Sequence, residues 1–274
     1  MDPANILVDA AGTLHSPARG EVRIVSLVPS LTELLCDLGL AGQLVGRTGF
    51  CIHPRATVRR IAKVGGTKDV RLDALRALAP THLVVNVDEN RRETVEAAAA
   101  FVPNVIVTHP CVPEDNFALY RLCGAVFACE GAAARLCAAL QGALDEAAAV
   151  RAELPAEEVL YLIWRQPWMT VGRDTYISAA LAAVGWQTLP AQGAARYPEV
   201  EWGSAALAGA ARVFLSTEPF RFGARHVDEV AALSGRPAAL IDGEMCSWYG
   251  SRAPAGLRYL AALRRTLGAR EVPR

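Results

Sequence analysis

Two short motifs carry the residue types that most often bind metal ions. Cys51 and His53 lie two residues apart, as do His109 and Cys111. Structural zinc sites typically combine two Cys-x-x-Cys pairs, and catalytic zinc sites combine a His pair with a carboxylate; neither pattern occurs here. The sequence therefore predicts no metal site, and a metal-dependent enzyme built on these four residues is the least favoured alternative.

Other patterns typical of catalysis are also missing from the sequence. There is no G-x-S-x-G nucleophile elbow, and five histidines in 274 residues offer little material for acid–base chemistry. The segment "VGGTKD" (64–69) lacks the spacer of a G-x-x-x-x-G-K-[ST] phosphate loop. It favours a turn that carries one basic residue, and the whole pattern predicts a protein that is not an enzyme.

The tryptophans offer a different chemistry, because all five lie beyond residue 160. Trp168 and Trp248 follow predicted strands, in "YLIWRQPWMTVG" and "IDGEMCSWYGSR", and each lies within a few residues of an arginine. Loops at the carboxyl ends of strands are where α/β sheets present ligand contacts. We expect these two tryptophans to contact a ligand, and we assign Trp186, in "AAVGWQT", to the core.

The segment "RIVSLVPSLTELLCDLGL" (23–40) predicts a strand, a turn and an amphipathic helix. Ser30 and Glu33 fit a capping box, with the serine hydroxyl as N-cap and Pro29 stiffening the turn. Helix capping alone would explain these residues. Because the turn follows a strand, we also expect Ser30 to form one lip of a ligand cleft.

Six apolar runs predict the strands that would position these residues. They are rich in Val, Ile and Leu on both faces, as buried parallel strands are, and helical segments separate them. The runs are residues 23–28, 82–87, 104–108, 159–164, 212–216 and 238–242. The predicted fold class is α/β, with two Rossmann-like lobes of parallel sheet joined by a long rigid helix.

A coarse internal repeat supports two lobes. The strand pairs at residues 24/160, 83/213 and 105/239 are offset by 136, 130 and 134 residues. The helix formers that precede Pro155 predict a stiff connector. We predict an N-terminal extension or hairpin over residues 1–21, a first lobe over 22–129, a connecting helix over 130–155 and a second lobe over 156–274.

Composition excludes several partners. The formal net charge is zero, with 28 basic and 28 acidic residues, which argues against nucleic acid or an anionic membrane as partner. The N-terminus carries Asp2 and Asp9 and no basic residue before Arg19, unlike a secretory signal. Seven cysteines, an odd number, suit a reducing compartment. We therefore expect a cytoplasmic protein from the sequence as it stands, or a periplasmic one if a signal peptide precedes it.

Several motifs together resemble a known family. They are "RIVSLVPSLTELLCDLGL", "LVGRTGFCIHP", "VGGTKDVRLDALRALAPTHLVV" and "TVGRDTYISAALAAVGW". They are similar to the helical-backbone substrate-binding proteins of ABC importers for vitamin B12 and ferric siderophores, and most of all to the cobalamin-binding proteins. "ILVDAAGTLHSPARGE" resembles the N-terminal hairpin of that family. The resemblance implies a non-catalytic protein that binds cobalamin or a related corrinoid between two lobes, with no covalent cofactor.

The resemblance implies roles for individual residues of this sequence that match functional positions of the family. Phe50 matches an aromatic residue that lines the ligand pocket from the first lobe, and Thr67 stands where cobalamin receptors have a tryptophan. Asp73 matches an acidic residue that docks onto the membrane transporter, whereas Gly203 occupies the second docking position. The full predicted ligand set is Ser30, Phe50, Thr67, Trp168, Tyr197, Trp248, Tyr249 and Arg252.

Two alternatives concern the ligand and the role. Ferric siderophores are often anionic and call for several cations, which Arg47, Arg165, Arg173 and Arg252 could supply. The same fold could also serve as a cytoplasmic corrinoid carrier or sensor without a transporter. Aromatic walls with few charges favour a corrinoid, a large and nearly flat ligand with amide arms.

Overall fold

The computed structural model describes residues 7–193 and 195–268. Within these ranges the strands are β1 (Ile24–Ser26), β2 (Leu44–Arg47), β3 (Ala62–Lys63), β4 (His82–Asn86), β5 (Asn104–Thr108), β6 (Glu157–Leu162), β7 (Trp186–Thr188), β8 (Arg212–Ser216) and β9 (Ala238–Ile241). The helices are α1 (Pro29–Asp37), α2 (Arg55–Val58), α3 (Leu72–Ala77), α4 (Arg92–Ala99), α5 (Asn116–Val126), α6 (Glu130–Glu153), α7 (Tyr176–Ala183), α8 (Ala224–Ser234), α9 (Gly243–Ser247) and α10 (Ala253–Gly268). Parts of the predicted N-terminal extension and second lobe, residues 1–6 and 269–274, lie outside the described residues.

The strands form two parallel sheets with the same order. The first sheet runs β3-β2-β1-β4-β5 and the second runs β7-β6-β8-β9. In the first sheet β1 lies between β2 and β4, and in the second sheet β6 lies between β7 and β8. The strand pairs used to predict two lobes, β1 and β6, β4 and β8, and β5 and β9, occupy equivalent places in the two sheets. The α/β fold class is confirmed.

The chain divides into two compact units. The first comprises the chain up to Pro110, then Glu114–Ala139 and Tyr249–Arg252. The second comprises Cys111–Pro113, Leu140–Trp248 and the chain from Ala253. The long helix α6 therefore contributes its first turns to the first unit and the remainder to the second.

Each sheet carries its own apolar core. All five residues of β4 are buried, and Val25, Leu83 and Val85 pack together in the first unit. In the second unit Leu160, Leu162 and Leu215 have the same role. Strands buried on both faces explain the continuous apolar runs in the sequence.

The amino ends of the two sheets are built differently. His82, at the start of β4, is buried, and its Nδ1 lies 2.9 Å from the Thr81 hydroxyl. Burial lowers the pKa of His82, and His15 lowers it further. The imidazole is therefore held in its neutral form.

In the second sheet the corresponding position, the start of β8, is Arg212. Both Arg212 and Arg264 of α10 donate to the carboxylate of Glu157, and the side chains of all three residues are at most 10% exposed. The Trp186 indole donates to the same carboxylate over 3.2 Å, and Arg264 also donates to the Pro155 carbonyl over 2.6 Å. One carboxylate thus compensates two buried guanidinium groups.

A short hairpin covers the free edge of β5. Val8 and Leu14 form an antiparallel bridge, and the Ala10 amide donates to the Val107 carbonyl over 2.9 Å. The Asp9 carboxylate accepts from the amides of Ala11, Thr13 and Val107, each over 2.9 Å, and contacts the His15 imidazole at 3.0 Å. This hairpin protects a strand edge that would otherwise expose backbone donors.

The segment Tyr249–Arg252 completes the first unit from a distant part of the chain. The Gly250 carbonyl accepts from the Tyr120 hydroxyl over 2.7 Å, and the Gly250 amide donates to the Asn116 side chain over 2.6 Å. A Cβ atom on Gly250 would lie 3.2 Å from the Ser30 carbonyl, and the φ angle there is +86°. Glycine is therefore required by both the space and the backbone conformation.

Candidate functional site

Parallel strands place the loops at their carboxyl ends on one edge of each sheet, where α/β proteins bind ligands. On the first sheet, Ser30 follows β1, Phe50 follows β2 and Thr67 follows β3. On the second sheet, Trp168 follows β6 and Trp248 follows β9. We refer to these as the first and second ligand edges and describe each within its own unit.

The predicted capping box at Ser30 is wrong. The N-cap of α1 is Val28, and no side chain caps the helix. Pro29 has its φ angle fixed near the helical value and no amide hydrogen, so it starts the helix at the first position and puts Ser30 second. Ser30 is 4% exposed, and it remains a predicted lip residue of the first edge.

Glu33 serves a different purpose from the predicted one. Its carboxylate accepts two hydrogen bonds from the Arg252 guanidinium, at 2.8 and 2.6 Å, and both side chains are about 15% exposed. Such a bidentate pair is among the stronger charge-assisted contacts in proteins. It fixes the Tyr249–Arg252 segment to α1 and neutralises Arg252, which the sequence places in the ligand set.

Phe50 lies beside Gly66, the residue before Thr67, on the first edge. Phe50 is 64% exposed, and its ring lies 3.4 Å from where a Cβ atom of Gly66 would stand. The "VGGTKD" segment forms the predicted turn. Glycine fits at position 65 because the φ angle there is +114° and a Cβ atom would lie 2.3 Å from the Asp69 carbonyl. The tight turn presents the Thr67 side of the loop next to an exposed aromatic ring.

Hydrogen-bonded asparagines hold the loops of the first edge. The Asn90 side chain donates to the carbonyls of Leu27 and Thr67, over 3.3 and 3.0 Å, and accepts from the Asn86 amide over 3.0 Å. The Asn86 side chain in turn accepts from the Asp88 amide over 2.8 Å. Two amide side chains thereby tie together the loops that follow β1, β3 and β4.

Cys51 lies beneath this edge and is not a reactive thiol. It is fully buried, with its Sγ atom 3.0 Å from the Thr32 hydroxyl and 3.2 Å from that of Thr48. Burial raises its pKa, and the threonine hydrogen bonds offset only part of that effect. Within residues 7–193 and 195–268, no group of three or more His, Cys, Asp or Glu residues could hold a metal ion.

The second edge carries an aromatic surface. Trp168 stacks on Phe222 with ring centroids 6.0 Å apart and meets Trp202 edge-on at 5.6 Å. Trp164 meets Phe220 edge-on at 5.7 Å, and Phe220 lies 4.7 Å from Phe222. These contacts join the loops after β6, β7 and β8 into one layer, here called the aromatic surface: Trp164, Trp168, Trp202, Phe220 and Phe222.

Exposure within the second unit differs from the sequence-based expectation. Trp164 is 41% exposed and Tyr197 is 42% exposed, whereas Trp248 is only 8% exposed. The Trp248 indole donates to the Glu218 carboxylate over 2.9 Å. The predicted ligand set does not include Trp164, which is the last residue of the predicted strand 159–164 and lies beyond the end of β6 in the structure. Trp186 is fully buried against Phe214, as assigned.

Arg165 connects the aromatic surface to α8. Its Nη2 atom donates to Oε1 of Glu229 over 2.7 Å, and its guanidinium carbon lies 5.6 Å from the Trp168 ring centre. The two charged side chains are 30% and 34% exposed. Arg165 is therefore both paired with a carboxylate and placed over an aromatic ring.

The other arginines considered for an anionic ligand are also engaged. Arg47 is 5% exposed and donates to the carbonyls of Val58 and Thr48, over 2.7 and 2.9 Å. Arg173 donates to the Thr188 carbonyl over 3.1 Å and lies 3.8 Å from the Glu158 carboxylate. With Arg252 and Arg165 bound to carboxylates, all four guanidinium groups already have acceptors inside their own unit.

The positions compared with transporter-docking residues lie on the surface. Asp73 is exposed in the first turn of α3. Gly203 adopts a φ angle of +79° in a loop of the second unit, with exposed Glu199 and Glu201 nearby in the sequence. The structure thus offers a carboxylate at the first position and none at the second.

Comparisons with known proteins agree on the fold. A model of the periplasmic binding protein family matches residues 24–218. The vitamin B12-binding protein of Photorhabdus laumondii subsp. laumondii is 24% identical over 111 residues, which are 40% of this chain and 40% of that protein. The matched segment therefore spans well under half of this relative.

Two solved structures show the same architecture. The periplasmic heme-binding protein RhuT from Roseiflexus sp. RS-1, in its apo form, aligns with a TM-score of 0.76 and 20% identity over 91% of this chain and all of that one. The vitamin B12-binding protein BtuF of Vibrio cholerae aligns with a TM-score of 0.73 and 16% identity over 89% and 96% of the two chains. At such identities the likeness establishes the fold alone.

Proposed function

Because the chain belongs to the periplasmic binding protein family, we propose that it is a non-catalytic protein that binds cobalamin or a related corrinoid. The observation that carries this proposal is the aromatic surface of the second edge, where Trp164 is 41% exposed and the half-buried Trp168, Trp202 and Phe220 pack against the core of the unit, beside guanidinium groups that already have acceptors. A wide aromatic surface with few free charges suits a large, flat ligand with uncharged amide arms.

The charge distribution argues against a polyanionic ferric chelate. Binding carboxylates or catecholates requires cations that are free to donate, and partners inside the protein occupy Arg47, Arg165, Arg173 and Arg252. An anionic chelate that used these four guanidinium groups would have to break these contacts. A neutral corrinoid needs only ring contacts and a few hydrogen bonds.

Heme is the second candidate ligand. Several similar solved structures are described as heme-binding proteins, and RhuT is one of them. The exposed phenol of Tyr197, with 42% of the residue accessible, is a ligand type that binds heme iron in proteins. Against this, heme carries two carboxylates, for which the second edge provides no unengaged guanidinium among the four considered.

The family match supports a proposed role in uptake by an ABC transporter. Asp73 is the proposed docking residue, and Gly203 leaves the second position without a carboxylate. The alternative role, a corrinoid carrier or sensor without a transporter, keeps the same ligand site. In the described part of the chain, no helix has the length and apolar character needed to cross a membrane.

Localisation separates these two roles. Members of this family are periplasmic binding proteins, and family membership gives no support to the cytoplasmic location expected from composition. Fractionation of native cells, with the protein detected by antibody, distinguishes a periplasmic receptor from a cytoplasmic carrier.

Titration of the purified protein with cyanocobalamin tests the proposal. We expect saturable heat release and a change in the visible spectrum at one ligand per chain, with hemin and a ferric siderophore titrated in parallel. Absence of any cyanocobalamin binding would overturn the corrinoid assignment. Saturation by hemin alone would favour the second candidate.

Trp164 provides the corresponding variant test. We expect Trp164→Ala to weaken cyanocobalamin binding by about 1–3 kcal/mol, because an exposed ring at the second edge is lost. The control is Leu233→Ala, which removes an exposed apolar side chain of α8 that is 47% exposed. Equal affinities for the two variants would exclude Trp164 from the site.

A further inference from the structure

The Arg165–Glu229 pair occupies a special position on the second edge. Arg165 is the one arginine of the four that lies against a ring of the aromatic surface, 5.6 Å from the centre of Trp168. Both side chains of the pair are about one-third exposed, so a ligand on the aromatic surface can reach them. The charges of this pair therefore affect which ligand groups can bind at the aromatic surface.

Glu229 compensates the positive charge of Arg165. Across the described ranges, Glu229 is the only hydrogen-bond acceptor that the Arg165 side chain meets, and the buried Arg165 Nε atom has no hydrogen-bond partner. Removing the negative charge of Glu229 would leave a guanidinium group over Trp168 with no competing anion. Arg252 differs, because Glu33 holds it by two bonds beneath the first edge.

We propose that Glu229 and Arg165 form a specificity-determining pair that favours amide-bearing, uncharged ligands over ligands that carry carboxylates. The proposal rests on the proposed function, since it concerns the same aromatic surface. A ligand carboxylate placed beside Trp168 must either displace Glu229 from Arg165 or lie next to a second negative charge. A ligand amide pays neither penalty, because it can donate to Glu229 without separating the ion pair.

The test compares ligands that differ only in charge. The probes are cyanocobalamin and its three monocarboxylic acids, in each of which one propionamide arm is hydrolysed to a carboxylate. For each protein variant, calorimetry gives the ratio of the affinity for cyanocobalamin to that for each acid. We expect Glu229→Gln to lower this ratio by about tenfold for at least one acid, since a charge-assisted hydrogen bond to Arg165 becomes available.

Asp228→Asn is the matched control. Asp228 is the neighbouring exposed acid of α8 and makes no ion pair in the described structure, so its substitution removes the same charge without releasing Arg165. We expect its ratios to stay within about twofold of the parent protein, since an exposed charge is well screened. Adding Arg165→Gln to Glu229→Gln should cancel the gain for the acid, and thermal melts confirm that each variant is folded.

The outcomes separate the two proposals. Cyanocobalamin binding with the same ratios in Glu229→Gln and the parent protein overturns the specificity pair and leaves the corrinoid proposal intact. If the parent protein binds hemin and no corrinoid, the corrinoid proposal falls, and hemin and its dimethyl ester become the probes with the same expected shift. Failure of the parent protein to bind either macrocycle overturns both.

Discussion

The two sheets share a strand order but are stabilised and equipped by different chemistry. In the first sheet, β4 starts with the neutral imidazole of His82, and asparagine side chains hold the loops of the first ligand edge. In the second, the equivalent strand starts with Arg212 in a charged cluster around Glu157, and its ligand edge carries packed aromatic rings.

This difference separates the properties that the shared strand order determines from those that it does not. Strand order, parallel direction and the location of the loops are common to both sheets. The side chains at the two ends of the strands are not, so each edge could specialise without changing its frame. The predictions below test this difference between the two sheets. They begin with the charged cluster of the second sheet, where the largest effect is expected, and end with the neutral histidine of the first.

Glu157→Gln should have the largest effect. The substitution removes the negative charge that two buried guanidinium groups, those of Arg212 and Arg264, contact. We expect a loss of about 3–5 kcal/mol in the free energy of unfolding of the second unit, as for other broken buried ion pairs. Urea denaturation followed by tryptophan fluorescence measures it, because all five tryptophans lie in that unit.

Glu153→Gln is the control for this prediction. It removes a carboxylate from an ion pair with Arg265 whose side chains are about half exposed. We expect a loss of less than about 1 kcal/mol, as is usual for surface pairs. A similar loss in both variants would show that burial does not set the value of the Glu157 cluster.

Asn90→Ala should have an intermediate effect on the first unit. It removes the acceptor of the Asn86 amide and the donor to the carbonyls of Leu27 and Thr67, all close to a side chain that is 6% exposed. We expect a loss of about 2–3 kcal/mol, because buried polar groups lose their partners.

The control for Asn90 is Gln141→Ala on α6, which removes an amide whose hydrogen bond to Asp145 is exposed. Its effect on the free energy of unfolding should be within about 0.5 kcal/mol, as at other exposed positions. Circular dichroism during urea denaturation follows both variants. If Asn90→Ala is as stable as the control, the asparagine bonds do not hold the first edge.

Much of the frame could be predicted from the sequence because buried parallel strands are continuous apolar runs. Strands β2, β3 and β7 were not predicted, since they have four, two and three residues and no such run. The start of α1 was misplaced because the capping box pattern outweighed the conformational preference of Pro29. Local sequence alone does not settle which of two competing signals wins.

The candidate site was less predictable because exposure depends on packing between distant segments. Trp248 looked like a ligand contact, but its indole is bound to Glu218 and the residue is almost covered. The Glu33–Arg252 pair joins residues 219 positions apart. No spacing rule identifies such a partner. The exposed position of Trp164, in contrast, could have been predicted because this residue ends a predicted strand.

His82→Gln should have the smallest effect, which is a change only in how the free energy of unfolding depends on pH. The folded imidazole has a lowered pKa, so as pH falls below about 6.5 the unfolded chain takes up a proton that the folded protein resists. The parent protein should therefore lose more stability between pH 7.5 and 5.5 than the variant. Urea denaturation at the two pH values measures the difference, and identical losses would show that His82 titrates normally in the folded state.

The Tyr249–Arg252 segment has a consequence for biosynthesis. The first unit needs Gly250 as partner for Tyr120 and Asn116, and Arg252 as partner for Glu33, yet these residues lie within the last twenty-six of the 274-residue chain. A ribosome must therefore have synthesised the chain through Arg252 before all of these contacts can form. A truncated product that ends after α6 would lack these partners, so the first unit depends on a segment that the chain supplies only after the second sheet is complete.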